Sequence, residues 1–281
     1  MIYVWRDSSL IPKKLLQVAE RAQQKLEALP ADERPAFIKK KSHVWRAFAR
    51  YLSKMSYGKC WYSESLDPQS FFDVDHYRPK LQARRSDEVT DPGYEWLAFS
   101  WENFRLSAQR SNRVSKNEET DAHEGKGDWF PLLETSPKAC WENRCEATEQ
   151  PVLLDPVNKT DVRLIDAQDD GRMGPSRICI GTARPRVERS IELYGLNLPR
   201  LKAARLRVMR EVTDLHTVLF EMLEAAAPAD AVADGMPIDK LVESITSKTL
   251  PSSAYSKAER AQLMRLRAGA ALCARPEEVT D

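Results

Sequence analysis

Apolar residues return at helical spacing over two stretches near the N-terminus. In "LIPKKLLQVAERAQQKLEAL", Leu15, Val18, Ala19, Ala22, Leu26 and Leu29 fall on one face, which predicts a helix over 9–30. Ser8 or Ser9 is its expected N-cap and Pro30 its stop. "PAFIKKKSHVWRAFARYLSKM" repeats the period through Phe37, Val44, Phe48, Leu52 and Met55, a second helix over 34–57 that the turn "YGKC" ends. From 60 to 120 the helical period disappears. "CWYSE" and "FDVDHYRP" predict short strands around a loop, and the aromatic-rich "YEWLAFSWENFRLSAQRSNRVSK" passes into a short helix near Gln109.

Residues 121–185 are irregular and rich in Gly, Pro and Asp, with the apolar "PVLLDP" as a further strand. Helical spacing resumes at 186 in "RVERSIELYGLNLPRLKAARLRVMREVTDLHTVLFEMLEAA", broken at Gly195–Pro199, and two further helical pieces follow in "IDKLVESI" and "SKAERAQLMRLRAGAALCA". The pattern therefore predicts an α+β protein, mostly helical, with a small β element at its centre. It divides into an N-terminal helical region (1–57), a central β-containing unit (58–120), an irregular connecting region (121–185) and a C-terminal helical region (186–281).

Composition narrows the class without naming it. The 281 residues suffice for one large domain or two small ones, and 42% hydrophobic with 30% charged content is ordinary for a soluble globular protein. No apolar run approaches the length of a membrane span, and "MIYVWRDSSLIPKK" has no basic-then-apolar leader, so a cytoplasmic protein without membrane contact is expected. Five irregularly spaced cysteines (Cys60, Cys140, Cys145, Cys179, Cys273) do not read as a disulfide framework. The net charge of +1 hides a strong asymmetry: +8 over residues 1–60, −4 over 61–100 and +5 over 177–215. An acidic centre between basic arms suits a cation-loaded site that receives a polyanion; the same charges also suit solvated helix faces.

The chemistry concentrates in "DVDHYRPK". Asp75-His76 sets a hard oxygen donor beside a titratable base, and Asn103 and Asn112 follow downstream. In order, and with "WLAFSWENFRLSAQRSN", "FPLL", "PVLLDP" and "RVERSIELYGLNLPRLKAARLRV", these blocks resemble the HNH, or ββα-metal, nucleases. The likeness is to the HNH subunit of Septu and retron-type antiphage defence systems, over roughly residues 40–215. The resemblance implies a central ββα-metal motif and an endonuclease that hydrolyses phosphodiester bonds. Such a reaction needs an activated water, a means of holding negative charge at phosphorus, and stabilisation of the leaving oxygen. Asp75 and Asn112 would hold Mg²⁺ (or Mn²⁺), a cation that prefers oxygen ligands. His76, with an unperturbed pKa of about 6.5, would be the general base, and Asn103 would support the site by hydrogen bonding. Arg78, Lys80, Arg113 and Lys116 are the basic residues expected to meet nucleic-acid phosphates.

The chain departs from the family at its zinc. Many of these nucleases carry two Cys-x-x-Cys pairs, and the matching positions here are Cys60 with Ser63 and Ala108 with Ser111. One thiolate of four remains, so structural zinc is not expected there. Cys140 and Cys145 with His123 make a poor substitute set, and His43 and His216 read as helix residues. In "RLKAARLRVMREV", Arg200 and Arg207 line one side of a helix and Leu201, Leu206, Val208 and Val212 the other. The resemblance implies partners as well: nucleic acid, an ABC- or SMC-like ATPase subunit (PtuA-like) and, in a retron setting, a reverse transcriptase with its RNA–DNA. DNA is the expected substrate. RNA such as tRNA is an alternative substrate, and a degenerate domain serving as a binding subunit is an alternative role.

Overall fold

The computed structural model describes residues 1–67, 69–116, 123–225 and 238–275. The first helical pattern resolves into a 3-10 turn at Ser8–Leu10 and the helix α1 (Lys13–Glu27). The cap falls on Asp7, whose carboxylate accepts from the Ser9 amide, while Pro12 precedes α1 without a side-chain cap. The second pattern is not one helix but three: α2 (Arg34–Lys40), α3 (Ser42–Arg46) and α4 (Ala49–Met55). The breaks let α3 lie against the strand β1 (Asp73–His76) and α4 against β4 (Phe104–Ser107).

β1 and β4 pair antiparallel, with His76 opposite Phe104 and Asp75 opposite Arg105. The predicted strand "CWYSE" does not form; the Glu64 amide donates back to the Cys60 carbonyl and residues 61–63 are turn. Its predicted neighbour β1 pairs instead with β4, about thirty residues on. Between β1 and β4 stands a small hairpin of β2 (Gln82–Arg84) and β3 (Thr90–Pro92). After β4 comes α5 (Gln109–Asn112), one turn long, then the paired β5 (Ser115–Lys116) and β6 (His123–Glu124). "PVLLDP" contributes only an isolated bridge between Pro151 and Leu132, since proline has no amide hydrogen for a ladder. The chain continues through α6 (Lys159–Leu164), the hairpin β7 (Ile165–Ala167) and β8 (Met173–Pro175), α7 (Ala183–Leu193), α8 (Pro199–Ala225), α9 (Ile238–Lys248) and α10 (Ser256–Leu263). The protein is thus α+β, with helices around small two-stranded sheets.

Strand alternation places two different environments on the two faces of the β1–β4 pair. Val74, Phe104 and Leu106 face a core built with α1–α4, where Leu26, Ile38, Trp45, Phe48 and Leu52 are buried. The opposite face carries Asp73, Asp75, Arg105 and Ser107 toward a second core containing Tyr62, Tyr77, Leu153, Leu154 and Tyr194. Polar residues on a buried face must be paired, and Arg105 is: its Nε and Nη2 each donate to Asp155 at 2.7 Å. Burial disfavours the guanidinium charge, and the Asp155 carboxylate more than offsets it, so the Arg105 pKa is raised. The C-terminal helices are tied to the same region, because Glu64 accepts from the Ser256 hydroxyl and the Lys257 amide.

Removing one member of a buried ion pair leaves the other uncompensated, at a cost of about 3–5 kcal/mol. Arg105→Met is therefore expected to lower the unfolding free energy by about that much. Urea denaturation of the two proteins side by side checks it.

Candidate active site

His76 closes β1 on the apolar face of the sheet. Its ring stands edge-on to Trp45 (5.2 Å between centroids) and Phe104 (5.0 Å), and the residue is 3% exposed. Nε2 lies 2.9 Å from the Ala98 carbonyl, an atom that only accepts, so Nε2 carries the proton and Nδ1 the lone pair. Nδ1 faces the Lys80 ammonium at 3.4 Å. Burial, reinforced by the Lys80 charge, pushes the imidazole pKa well below the usual histidine value, so the ring is neutral at physiological pH. Lys80 itself lies over the Trp45 ring, and burial lowers its pKa to about 8.

Asn103 holds the segment that leaves β1. Its Oδ1 accepts from the Arg78 amide and its Nδ2 donates to the Arg78 carbonyl, both at 2.9 Å. The Asn103 carbonyl accepts from the Tyr77 amide at 2.8 Å, so the segment leaving β1 is pinned on three backbone groups. Such a clamp fixes where His76 and Lys80 stand.

Asp75 points to the other face, and both its oxygens are taken. Oδ2 accepts from the Tyr62 hydroxyl at 2.6 Å, and the Tyr62 ring stacks on Tyr194. Oδ1 accepts from the Lys126 ammonium at 2.9 Å, and the same ammonium donates to the His76 carbonyl at 2.7 Å. Lys126 has no exposed surface. Asn112, at the end of α5, borders the same groove as Asp75 and His76, but its amide nitrogen donates to Asp73 at 3.0 Å. Asp75 and Asn112 are thus neighbours without forming an open pair of oxygen ligands. A divalent cation does not fit beside Asp75 while the ammonium is there. Among the described residues no group of three His, Cys, Asp or Glu side chains is gathered as a metal site.

The basic residues divide. Lys80 and Arg113 line the groove together with Lys39. Arg113 also holds Asp73 through two bonds of 2.8 Å while remaining largely exposed. Arg78, expected at phosphate, is turned the other way. Its Nε donates to Glu149 at 3.0 Å and its Nη2 to the Glu146 carbonyl at 2.7 Å, because Glu149 is buried and needs a cation. The side chains of Lys116 and His123 lie outside the described residues. Around the former zinc positions, the Ala108 amide donates to Cys60 Sγ at 3.2 Å and the Ser63 hydroxyl meets that of Ser65. His216 sits in α8 with Nε2 on the Arg267 carbonyl.

Two residues of the site have no functional reading in the sequence: Tyr62 and Lys126. Lys126 does have a local signal, since it stands between Gly125 and Gly127, both at positive φ. A Cβ on Gly125 would fall 2.0 Å from the Arg113 carbonyl oxygen, so only glycine lets this segment pass α5.

With this geometry in place, comparison with known sequences adds one relation. The chain is similar to the Septu protein PtuB of Bacillus mycoides (strain KBAB4). The two share 30% identity over 164 residues, 57% of this chain and 50% of that protein, so the chain spans about half the length of the curated relative it matches. No family model matches. The likeness to Septu systems read from the ordered blocks is therefore present at the level of the whole alignment, while the chemistry rests on the site.

Two outcomes follow from the geometry. Asn103→Ala strands the part-buried Arg78 amide and carbonyl, and is expected to cost about 1–3 kcal/mol in urea unfolding. Lys80 releases its proton near pH 8 when folded and near 10.4 when unfolded, so the unfolded chain binds the extra proton between those values. The Lys80 contribution to stability thus rises as pH increases from about 8 toward 10.4. The stability difference between wild type and Lys80→Met, followed by urea unfolding from pH 7.5 to 10, is expected to shift by that rise.

Proposed function

We propose that this protein is a nucleic-acid phosphodiesterase of the HNH type, with His76 as its general base, acting as an effector of an antiphage defence system. The observation that carries the reading is the state of His76. It is a neutral imidazole, fixed through Nε2–H on a backbone carbonyl, with its Nδ1 lone pair at a groove bordered by Lys39, Lys80 and Arg113. A base held neutral and correctly turned is ready to take a proton.

In the proposed reaction a water replaces the weak 3.4 Å contact between Lys80 and Nδ1 and gives its proton to Nδ1. The oxygen attacks phosphorus, the scissile P–O bond breaks, and the departing oxygen takes a proton from bulk water, while His76 later returns its extra proton to solvent. Lys80 and Arg113 face the charge that builds on the phosphoryl oxygens, where cations in a partly dry groove act strongly. Asn103 acts through the loop it clamps. DNA is the proposed substrate. Similarity to the Septu protein PtuB supports the defence setting, and with it a proposed ABC- or SMC-like ATPase partner.

A second reading has one observation in its favour. Asp75 is satisfied inside the protein by Tyr62 and Lys126, as in a domain retained for binding rather than cleavage.

The test is cleavage of plasmid DNA, single-stranded DNA and total tRNA by the purified protein, with and without an ATPase of the proposed kind. His76→Ala is expected to reduce cleavage by about 10²-fold or more. Because the His76 pKa is depressed, activity should hold as pH falls through 6.5, with its acid limb lower. Cleavage of tRNA alone would move the substrate to RNA. Undiminished cleavage by His76→Ala would end the assignment of the base, and no cleavage in any combination would favour the binding reading.

A further inference from the structure

We propose that the Lys126 ammonium occupies the cation position of this site, so that Asp75 does not take a divalent metal in the folded protein. The inference concerns the residues of the proposed hydrolase, but it is read without substrate.

The contacts are those of a cation site. The ammonium lies 2.9 Å from an Asp75 carboxylate oxygen and 2.7 Å from the His76 carbonyl oxygen, two oxygens from adjacent residues of β1. The remaining Asp75 oxygen is closed by the Tyr62 hydroxyl. Tyr62 is buried and its hydroxyl is the donor in that bond, so it brings no charge of its own. The local charge is therefore balanced by one carboxylate and one ammonium. Adding a divalent ion would set two cations on one carboxylate, and like charges in a desolvated site repel strongly.

Delivery of the ammonium is built into the backbone. The Lys126 amide donates to the Ser111 carbonyl and the Gly127 amide to the Asn112 carbonyl, fastening the segment to the end of α5. The Trp129 amide then donates to the Lys126 carbonyl. Gly125 passes the Arg113 carbonyl where no side chain fits, and Gly127 is at φ +51°. A lysine held on both sides in this way is not a surface side chain that has wandered inward. Were a metal to displace it, its ammonium would have to leave a fully buried position or stay there without its carboxylate, and either opposes metal binding.

Removal of the ammonium should reverse the preference, because Asp75 would then be a buried carboxylate without a counter-charge. The test is titration of the protein with Mn²⁺, counting free ion by electron paramagnetic resonance, on wild type, Asp75→Asn, Lys126→Met and the double variant. Wild type is expected to bind no more Mn²⁺ than Asp75→Asn. Lys126→Met is expected to bind it at least ten-fold more tightly than wild type, with the gain lost in the double variant. Stoichiometric Mn²⁺ uptake by wild type that Asp75→Asn abolishes would overturn the proposal. That comparison decides the matter even if Lys126→Met does not fold, and a failure of the cleavage assay leaves it untouched.

Discussion

Burying an aspartate and a histidine in sequence, at the end of one short strand, is the constraint around which this protein is arranged. Neither residue is more than 4% exposed, so water repays little of the loss. Each group is satisfied in the only way its chemistry allows. The imidazole goes neutral, gives its one N–H to the Ala98 carbonyl and rests among aromatic rings. The carboxylate keeps a full charge partner in Lys126 and a hydroxyl donor in Tyr62. A desolvated carboxylate without such partners would be far costlier than the hydrogen bonds that meet it.

The two solutions demand different neighbours, and strand alternation supplies them. Helices α1–α4 give the His76 side its apolar packing, with Trp45 and Phe48 against the sheet. The Asp75 side gets its polar packing from the turn before β1 and from segments after β4: Tyr62 stacked on Tyr194, Lys126 from the glycine-flanked turn, and Asp155 holding Arg105 of β4. Regions far apart along the chain thus converge on four residues of β1. The groove between them is where a neutral base and the cations Lys80 and Arg113 come together.

How much of this was legible in the sequence depends on the range of each interaction. Asp75, His76 and Asn103 could be singled out because their residue types and order carry the signal, and in the structure Asn103 clamps the loop after β1. α1 and α8 were readable from their period. The strand partner of β1 was not, since "CWYSE" has strand-forming residues but closes on itself, whereas β4 alternates between Phe104 and Leu106 on one side and Arg105 and Ser107 on the other. Arg78 read as a phosphate contact because its partner Glu149 lies 71 positions away. Lys126 has no such signal for the same reason: it is 51 positions from Asp75, and only the fold brings its ammonium onto that carboxylate.

The most direct measurement of the central claim is the protonation state of His76, read by long-range ¹⁵N–¹H NMR of its ring between pH 6 and 8 with His76→Gln as the assignment control. A neutral ring carrying its proton on Nε2 at pH 7, and still neutral at pH 6, is the expected result. An imidazolium at pH 7, or a neutral ring protonated on Nδ1, would contradict it, because the lone pair facing the groove would then be gone.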